Sequence, residues 1–146
     1  MKDERVRSVS RLHRLAYLAT GGVVGRRLVN NDMLLLTTTG RRTGRPHTVP
    51  LLYLREGGRL VVVASFGGRD QHPAWYLNLV ANPMVRVQIS ATSLAARATT
   101  AGPADRMAWW SRIVEAYQGY ARYQAKTERQ IPVVFLDPVD EASSGE

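Results

Sequence analysis

Apolar residues change their spacing along this chain, and each change marks a different kind of element. Between Glu4 and Tyr17 the positions Val6, Val9, Leu12, Ala16 and Tyr17 recur at helical intervals, with Arg5, Arg7, Arg11 and Arg14 on other faces. This predicts an amphipathic helix, ended by Gly21 and Gly22. From Met33 the pattern turns strand-like. Met33 to Thr38 and His47 to Leu54 are rich in Leu, Val and Thr, and the basic Thr39-Gly-Arg-Arg-Thr-Gly-Arg-Pro46 between them has the residues of a hairpin loop. Arg55-Glu-Gly-Gly58 predicts a second turn into a strand from Arg59 to Ser65, which completes a three-strand meander. Phe66-Gly-Gly68 then breaks regular structure.

Pro73 suits the first turn of a short helix through Trp75, Tyr76 and Leu79, and Asn82-Pro83 stops it. Met84 to Ser90 alternates, with Val85, Val87 and Ile89 on one face, and Ser93 to Thr100 is its natural partner. Pro103 to Tyr117 reads as a helix whose stripe is Met107, Trp110, Ile113, Val114 and Tyr117, with Gly119 as an interruption. Ile131 to Leu136 is a last strand before Asp-Pro. The expected organisation is an N-terminal amphipathic helix and connector (residues 1–30), a barrel domain (31–138) and a polar tail (139–146). About six strands joined mostly by short turns, with inserted helices, predict an α+β antiparallel barrel rather than a βαβ fold.

Composition narrows the chemistry. A chain of 146 residues, 45% hydrophobic and 22% charged, fits one compact domain. No run of about 18 uninterrupted apolar residues occurs, because Arg11, Arg14, Arg26 and Arg27 break the first apolar stretch. Neither a membrane span nor a cleavable signal peptide is expected, and the expected location is the cytoplasm or the inner face of the membrane. There is no cysteine, which excludes disulfides, a thiolate nucleophile and Cys-ligated metal centres. Residues 1–97 carry fifteen basic against five acidic groups and the remainder five against seven, within a net charge of +8. Such a field attracts phosphates, carboxylates, nucleic acid or anionic lipid. The basic N-terminal helix can lie on an anionic membrane surface or pack on the domain with its arginines solvated.

The loop from Thr39 to His47 places Arg41, Arg42 and Arg45 beside two glycines, so that backbone N–H groups and guanidinium forks can surround a phosphate; a solvated hairpin tip is the plainer alternative. Neither GxxxxGK[ST] nor GxGxxG occurs. Ser65-Phe-Gly-Gly68 offers a hydroxyl and close backbone approach for a flat ring, or is a simple turn. His72-Pro73 fits capping or packing, no metal trio is expected from His13, His47 and His72, and without GxSxG a serine hydrolase is disfavoured. Tyr117, Tyr120 and Tyr123 recur on roughly one helical face, either as core or as the wall of a flat pocket. The aromatics do not interleave with a basic strand face, which weighs against nucleic acid as a partner.

These stretches together resemble the deazaflavin (coenzyme F420)-dependent nitroreductase family of split β-barrel reductases. The resemblance is carried by Leu34 to Tyr53, Val63-Ala-Ser-Phe-Gly-Gly68, His72-Pro-Ala-Trp-Tyr-Leu-Asn-Leu79, Ala81 to Val87, Tyr117-Gln-Gly-Tyr-Ala-Arg-Tyr-Gln124 and Arg129-Gln-Ile-Pro-Val-Val134, in order over residues 32–137. It implies a cofactor, reduced coenzyme F420, that gives a hydride to a flat electrophile such as a quinone or nitro compound. It also implies that Arg41, Arg42 and Thr43 contact the phosphate and carboxylate tail. Further cofactor contacts are implied at His47, Thr48, Val49, Pro50, Leu51, Leu52 and Tyr53, at Val63, Ala64, Ser65 and Phe66, at Ala74, Trp75, Tyr76, Leu77 and Asn78, and at Tyr120. Ser65 and Tyr120 would hydrogen-bond the substrate oxygen, and Tyr117 and Tyr123 would shape the substrate wall. His47 and Phe66 stand where some members carry a basic residue, and Leu52 replaces an aromatic of some nitro-reducing members, which weighs against nitroimidazoles. An FMN-type split-barrel oxidoreductase and a non-catalytic deazaflavin binder are the alternatives.

Overall fold

The computed structural model describes residues 33–140. The amphipathic stretch 4–17, the connector through residue 30 and the tail 141–146 lie outside the described residues. The strands are β1 (Met33–Thr39), β2 (Pro46–Leu52), β3 (Leu54–Glu56), β4 (Arg59–Val63), β5 (Met84–Ile89), β6 (Thr92–Thr100) and β7 (Val133–Pro138). The helices are α1 (Ala74–Ala81), α2 (Pro103–Ala116) and α3 (Gly119–Ala125), with a 3-10 turn at Phe66–Gly68.

All strand pairs are antiparallel, in the order β2-β1-β5-β6-β7-β4-β3. Only Tyr53 separates β2 from β3 in the chain, yet these strands stand at the two ends of that order. Two residues of chain span at most about 7 Å. The ends of the sheet therefore meet at Tyr53, and the sheet is rolled into a barrel with its seam at that corner. The Tyr117 hydroxyl donates to the Tyr53 carbonyl at 3.1 Å and holds the corner from outside.

The α+β antiparallel barrel agrees with the sequence expectation; the three-strand meander does not. The strand expected through Leu54 breaks at Tyr53, and Leu54–Glu56 instead forms a hairpin with β4, pairing Glu56 with Arg59 across Gly57-Gly58. Gly57 takes a φ of 60°, so the turn starts two residues later than expected, and a seventh strand results. The second edge of β4 pairs with β7 rather than β2.

Two large cores, and a small cluster of Met33, Leu35 and Leu52, follow from strand alternation. Leu34, Leu36, Leu60, Val62, Ala64, Val85, Val87, Ala96, Ala98, Val134 and Leu136 fill the barrel, which α1 plugs with Trp75 and Leu79. The other faces of β4 and β7 present Val61, Val63, Val133 and Phe135 to Trp109, Ile113 and Tyr120 of α2 and α3. Burial on both faces explains why these two strands read as unbroken apolar runs, whereas β5 alternates. The stripe expected on α2 is displaced. Met107 is 79% exposed, and the buried positions are Trp109 and Ile113. Periodicity alone cannot choose between adjacent tryptophans. Here Trp109 packs edge-on to Phe135 at 6.2 Å, and Trp110 lies half-buried under the Arg106 guanidinium at 4.5 Å.

Candidate active site

The β1–β2 turn is tightly built. Gly40 N–H donates to the Arg45 carbonyl at 2.7 Å, Gly44 N–H to the Gly40 carbonyl at 2.8 Å, and the Thr43 hydroxyl accepts from Arg45 N–H at 3.2 Å. A Cβ on Gly40 would lie 2.8 Å from both His47 Nε2 and Thr43 Oγ1, so glycine there lets the imidazole fold over the turn. Gly44, at φ 73°, supplies the left-handed step. Arg41, Arg42, Thr43 and Arg45 are left exposed. Among the described residues none of these three guanidinium groups has a carboxylate partner.

Asn78 fastens this turn to α1. Its side chain is buried at 4% exposure, where an unmet amide would be costly. Its Oδ1 accepts from Arg41 N–H at 3.1 Å and from Arg41 Nη1 at 3.0 Å, while Nδ2 donates to Thr38 Oγ1 at 3.3 Å. The Arg41 side chain is thereby fastened to α1.

Four residues, or about 6 Å of helical rise, separate Asn78 from Ala74 at the start of α1, and His72 lies just before that helix. The second half of the site lies there. The Ser65 carbonyl accepts from Gly68 N–H at 2.9 Å, and Phe66, Gly67 and Gly68 take φ values of 48°, 64° and 83°. Gly68 is a close-approach glycine, because a Cβ would stand 2.6 Å from the Tyr123 carbonyl oxygen. Thus α3 seats directly on the turn that carries Ser65. The guanidinium of Arg129 and the His72 imidazole brace the same turn, at 3.1 Å from each other. Burial first, and the Arg129 charge second, hold the imidazole's proton affinity below its ordinary value.

Three phenols form a row beside this turn. The Tyr117 and Tyr120 rings meet edge-on at 6.0 Å, as do those of Tyr120 and Tyr123. They do not share one helix face as expected: Tyr117 ends α2, and α3 begins at Gly119. Tyr120 is 8% exposed, and its hydroxyl has no hydrogen-bond partner among the described residues. Burial, then the neighbouring Tyr117 and Tyr123, keep that phenol protonated far above neutral pH. It is a donor at physiological pH.

The runs implied by resemblance divide by face. Along β2, Val49 and Leu51 pack on the barrel core and His47 sits opposite Thr38, whereas Thr48 bonds Thr37 at 2.7 Å and Leu52 packs with Met33 and Leu35 on the other side. Pro50, opposite Leu35, shares that side, and Tyr53 is buried. Val63 ends β4 and Ala64 follows it, buried in opposite cores, and the Ala64 backbone is already bonded at both ends, to Pro132 O and Arg129. In α1, Trp75 is core, Tyr76 is half-buried with its hydroxyl 3.0 Å from Thr100 Oγ1, Leu77 is half-buried and Ala74 exposed. Phe66 is 39% exposed, with the Arg69 guanidinium 4.6 Å above its ring. The bracing role of Arg129 was not legible from sequence, because no spacing rule links residues almost 60 positions apart, and neither was that of Gln124, whose side chain ties the irregular segment through Thr127, Arg129 and Ile131. Among the described residues no cluster of His, Asp and Glu fit to hold a metal occurs.

A rolled antiparallel sheet plugged by one helix, with a cationic turn tied to the middle of that helix and a glycine turn packed against α3, is a split β-barrel. The chain belongs to the F420H(2)-dependent quinone reductase family, whose model matches residues 9–138. An F420H(2)-dependent quinone reductase of Mycobacterium tuberculosis is 38% identical over 130 residues, covering 86% of this chain and 87% of the relative. A solved F420-H2 dependent reductase is 43% identical with a TM-score of 0.67, over 73% of this chain and 94% of that one. A second solved structure, described as a domain-swapped dimer, is 38% identical with a TM-score of 0.70, over 94% and 100%. This is accordingly an oxidoreductase family whose reductant is reduced coenzyme F420. The residues present fit such a group: a turn with exposed arginines tied to α1, a glycine turn with open space beside Gly67, and a buried phenol without a hydrogen-bond partner among the described residues.

Proposed function

We propose that this chain reduces quinones with coenzyme F420, and that the cofactor lies along α1 from the β1–β2 turn to the Ser65–Gly68 turn. Arg41, Arg42 and Thr43 hold its phosphate and carboxylate tail, while β2 from His47 to Tyr53, Val63 to Phe66 and Ala74 to Asn78 line its course, partly through backbone. When bound, the deazaflavin supplies the hydride from its ring carbon. The Ser65 hydroxyl and the protonated Tyr120 hydroxyl donate to the quinone oxygen that gains charge, and their fixed geometry lowers the cost of that charge. Tyr117, its own hydroxyl committed to Tyr53, contributes a ring face, and Tyr123 shapes the wall beside it. Solvent completes the proton count.

The observation that carries this reading is the Arg41–Asn78 tether: a turn with three exposed, carboxylate-free arginines fastened to α1 suits an anionic, elongated cofactor better than FMN, whose single phosphate needs less. The test is a fluorescence titration of the deazaflavin against FMN on the wild type and on Arg41→Glu/Arg42→Glu. The wild type should prefer the deazaflavin. The double variant should lose about 1–3 kcal/mol for each charge-assisted contact, with the loss shrinking as salt rises. Equal affinity of wild type and variant refutes the tail assignment.

A further inference from the structure

Three carbonyls and one imidazole converge on Arg129. Its Nε donates to the Arg69 carbonyl at 2.7 Å, Nη2 to the Ser65 carbonyl at 2.7 Å, and Nη1 to the Ala64 carbonyl at 3.3 Å and to His72 Nδ1 at 3.1 Å. Ala64 and Ser65 enter the turn, and Arg69 leaves it. One planar cation therefore straps both ends of a turn in which three successive residues have positive φ, one of them Phe66. An L residue persists there only when its surroundings enforce it.

The strap has a proton-dependent member. A guanidinium can only donate, so His72 Nδ1 must accept, which makes the imidazole neutral with its proton on Nε2. A second proton would turn Nδ1 into a donor facing a cation. The groups around the imidazole are the Arg129 guanidinium and the Tyr76 ring, 4.9 Å away on α1; Asp70 acts on Arg129 as a counter-charge, and the Arg69 side chain is turned to Phe66. The His72 shift comes from burial and from the Arg129 charge, with no carboxylate offsetting either.

We propose that Arg129 is a positioning residue for quinone reduction, holding the Ser65–Gly68 turn in the shape the cofactor ring requires, and that protonation of His72 releases this hold. The proposal rests on the cofactor site described above. Two variants separate its parts. His72→Asn keeps an acceptor near the Nδ1 position at every pH, while Arg129→Lys keeps the charge but cannot span four acceptors.

The first measurement, hydrogen exchange of the Gly68 and Arg69 amides without cofactor, does not depend on the F420 reading. Wild type should be protected at pH 7.5 and lose protection as pH falls below 6.5, His72→Asn should stay protected across the range, and Arg129→Lys should be unprotected throughout. The second is kcat and KM for menadione with saturating deazaflavin. Arg129→Lys should lose about tenfold in kcat with little change in KM, and His72→Asn should lose the acid limb of the wild-type kcat profile. Exchange that is alike in all three proteins overturns the strap. Altered exchange with wild-type kcat and pH profile overturns the positioning role. A wild type that is protected as described but does not bind the deazaflavin refutes the cofactor site, and the positioning role with it, while the strap stands.

Discussion

At residue scale the proposed site makes its sharpest predictions at one buried hydroxyl, on Tyr120, and one buried amide, on Asn78. The Tyr120 oxygen sits in a largely apolar cluster with no partner among the described residues, so its removal should cost the fold almost nothing. Tyr120→Phe is therefore expected to leave the melting temperature unchanged or slightly raised, to leave deazaflavin affinity nearly intact, and to lower single-turnover reduction of menadione by about one to two orders of magnitude. A variant that turns over at the wild-type rate makes Tyr120 packing only. Asn78 behaves oppositely, because its oxygen accepts two hydrogen bonds and its amide nitrogen donates one. Asn78→Leu strands the Arg41 backbone N–H and the Thr38 hydroxyl. It should cost about 1–3 kcal/mol in denaturant melts and weaken cofactor binding as well.

At the scale of elements, the contact between α3 and the glycine turn decides how Tyr123 and its neighbours sit against the turn that follows Ser65. Gly68→Ala places a methyl 2.6 Å from the Tyr123 carbonyl oxygen at a φ of 83°, so neither the turn nor α3 can stay as it is. Loss of substrate turnover is expected with the barrel still folded, read as retained far-UV circular dichroism and a lost response to quinone; full activity would show that α3 need not seat there. The displaced stripe of α2 makes a matching pair. Trp109→Ala should destabilise by about 3–5 kcal/mol and Met107→Ala by almost nothing, measured by urea unfolding. For the basic amphipathic stretch 4–17, we propose peripheral contact with anionic membrane. Deletion through Gly22 should then abolish sedimentation with anionic vesicles while sparing cofactor binding, and unchanged sedimentation would favour simple packing.

Across the whole molecule, charge and closure act together. The basic excess of residues 1–97 creates a field that draws an anionic cofactor in, so the association rate of the deazaflavin should fall as ionic strength rises, while dissociation changes less. Stopped-flow fluorescence at two salt concentrations measures both. Stability should also fall on the acid side. His72 binds its proton less readily folded than unfolded, so its contribution is intact above the unfolded value of 6.5 and is lost as pH falls from there toward the lower folded value. Thermal melts of wild type and His72→Asn across that window should diverge only below pH 6.5.

What the chain determined alone is what short-range physics writes into spacing. The β1–β2 hairpin with its basic tip, the β5–β6 pair, α1 between Pro73 and Asn82, and the class of barrel all follow from period and turn residues whose effects extend only a few positions. So does the run of motifs that marks the family. The tertiary structure decided everything that depends on which surfaces meet. Closure at Tyr53 required the ends of the sheet to be brought together, a choice worth nothing to Leu52 or Leu54 locally. Phe135, from a distant strand, settled which of two adjacent tryptophans is buried. Arg129 reads as one more exposed arginine in a chain rich in them, and only folding brings Ala64, Ser65, Arg69 and His72 within reach of one guanidinium. Hydrogen bonds between groups almost 60 residues apart leave no periodic trace, because the chain between them spends its pattern on other faces.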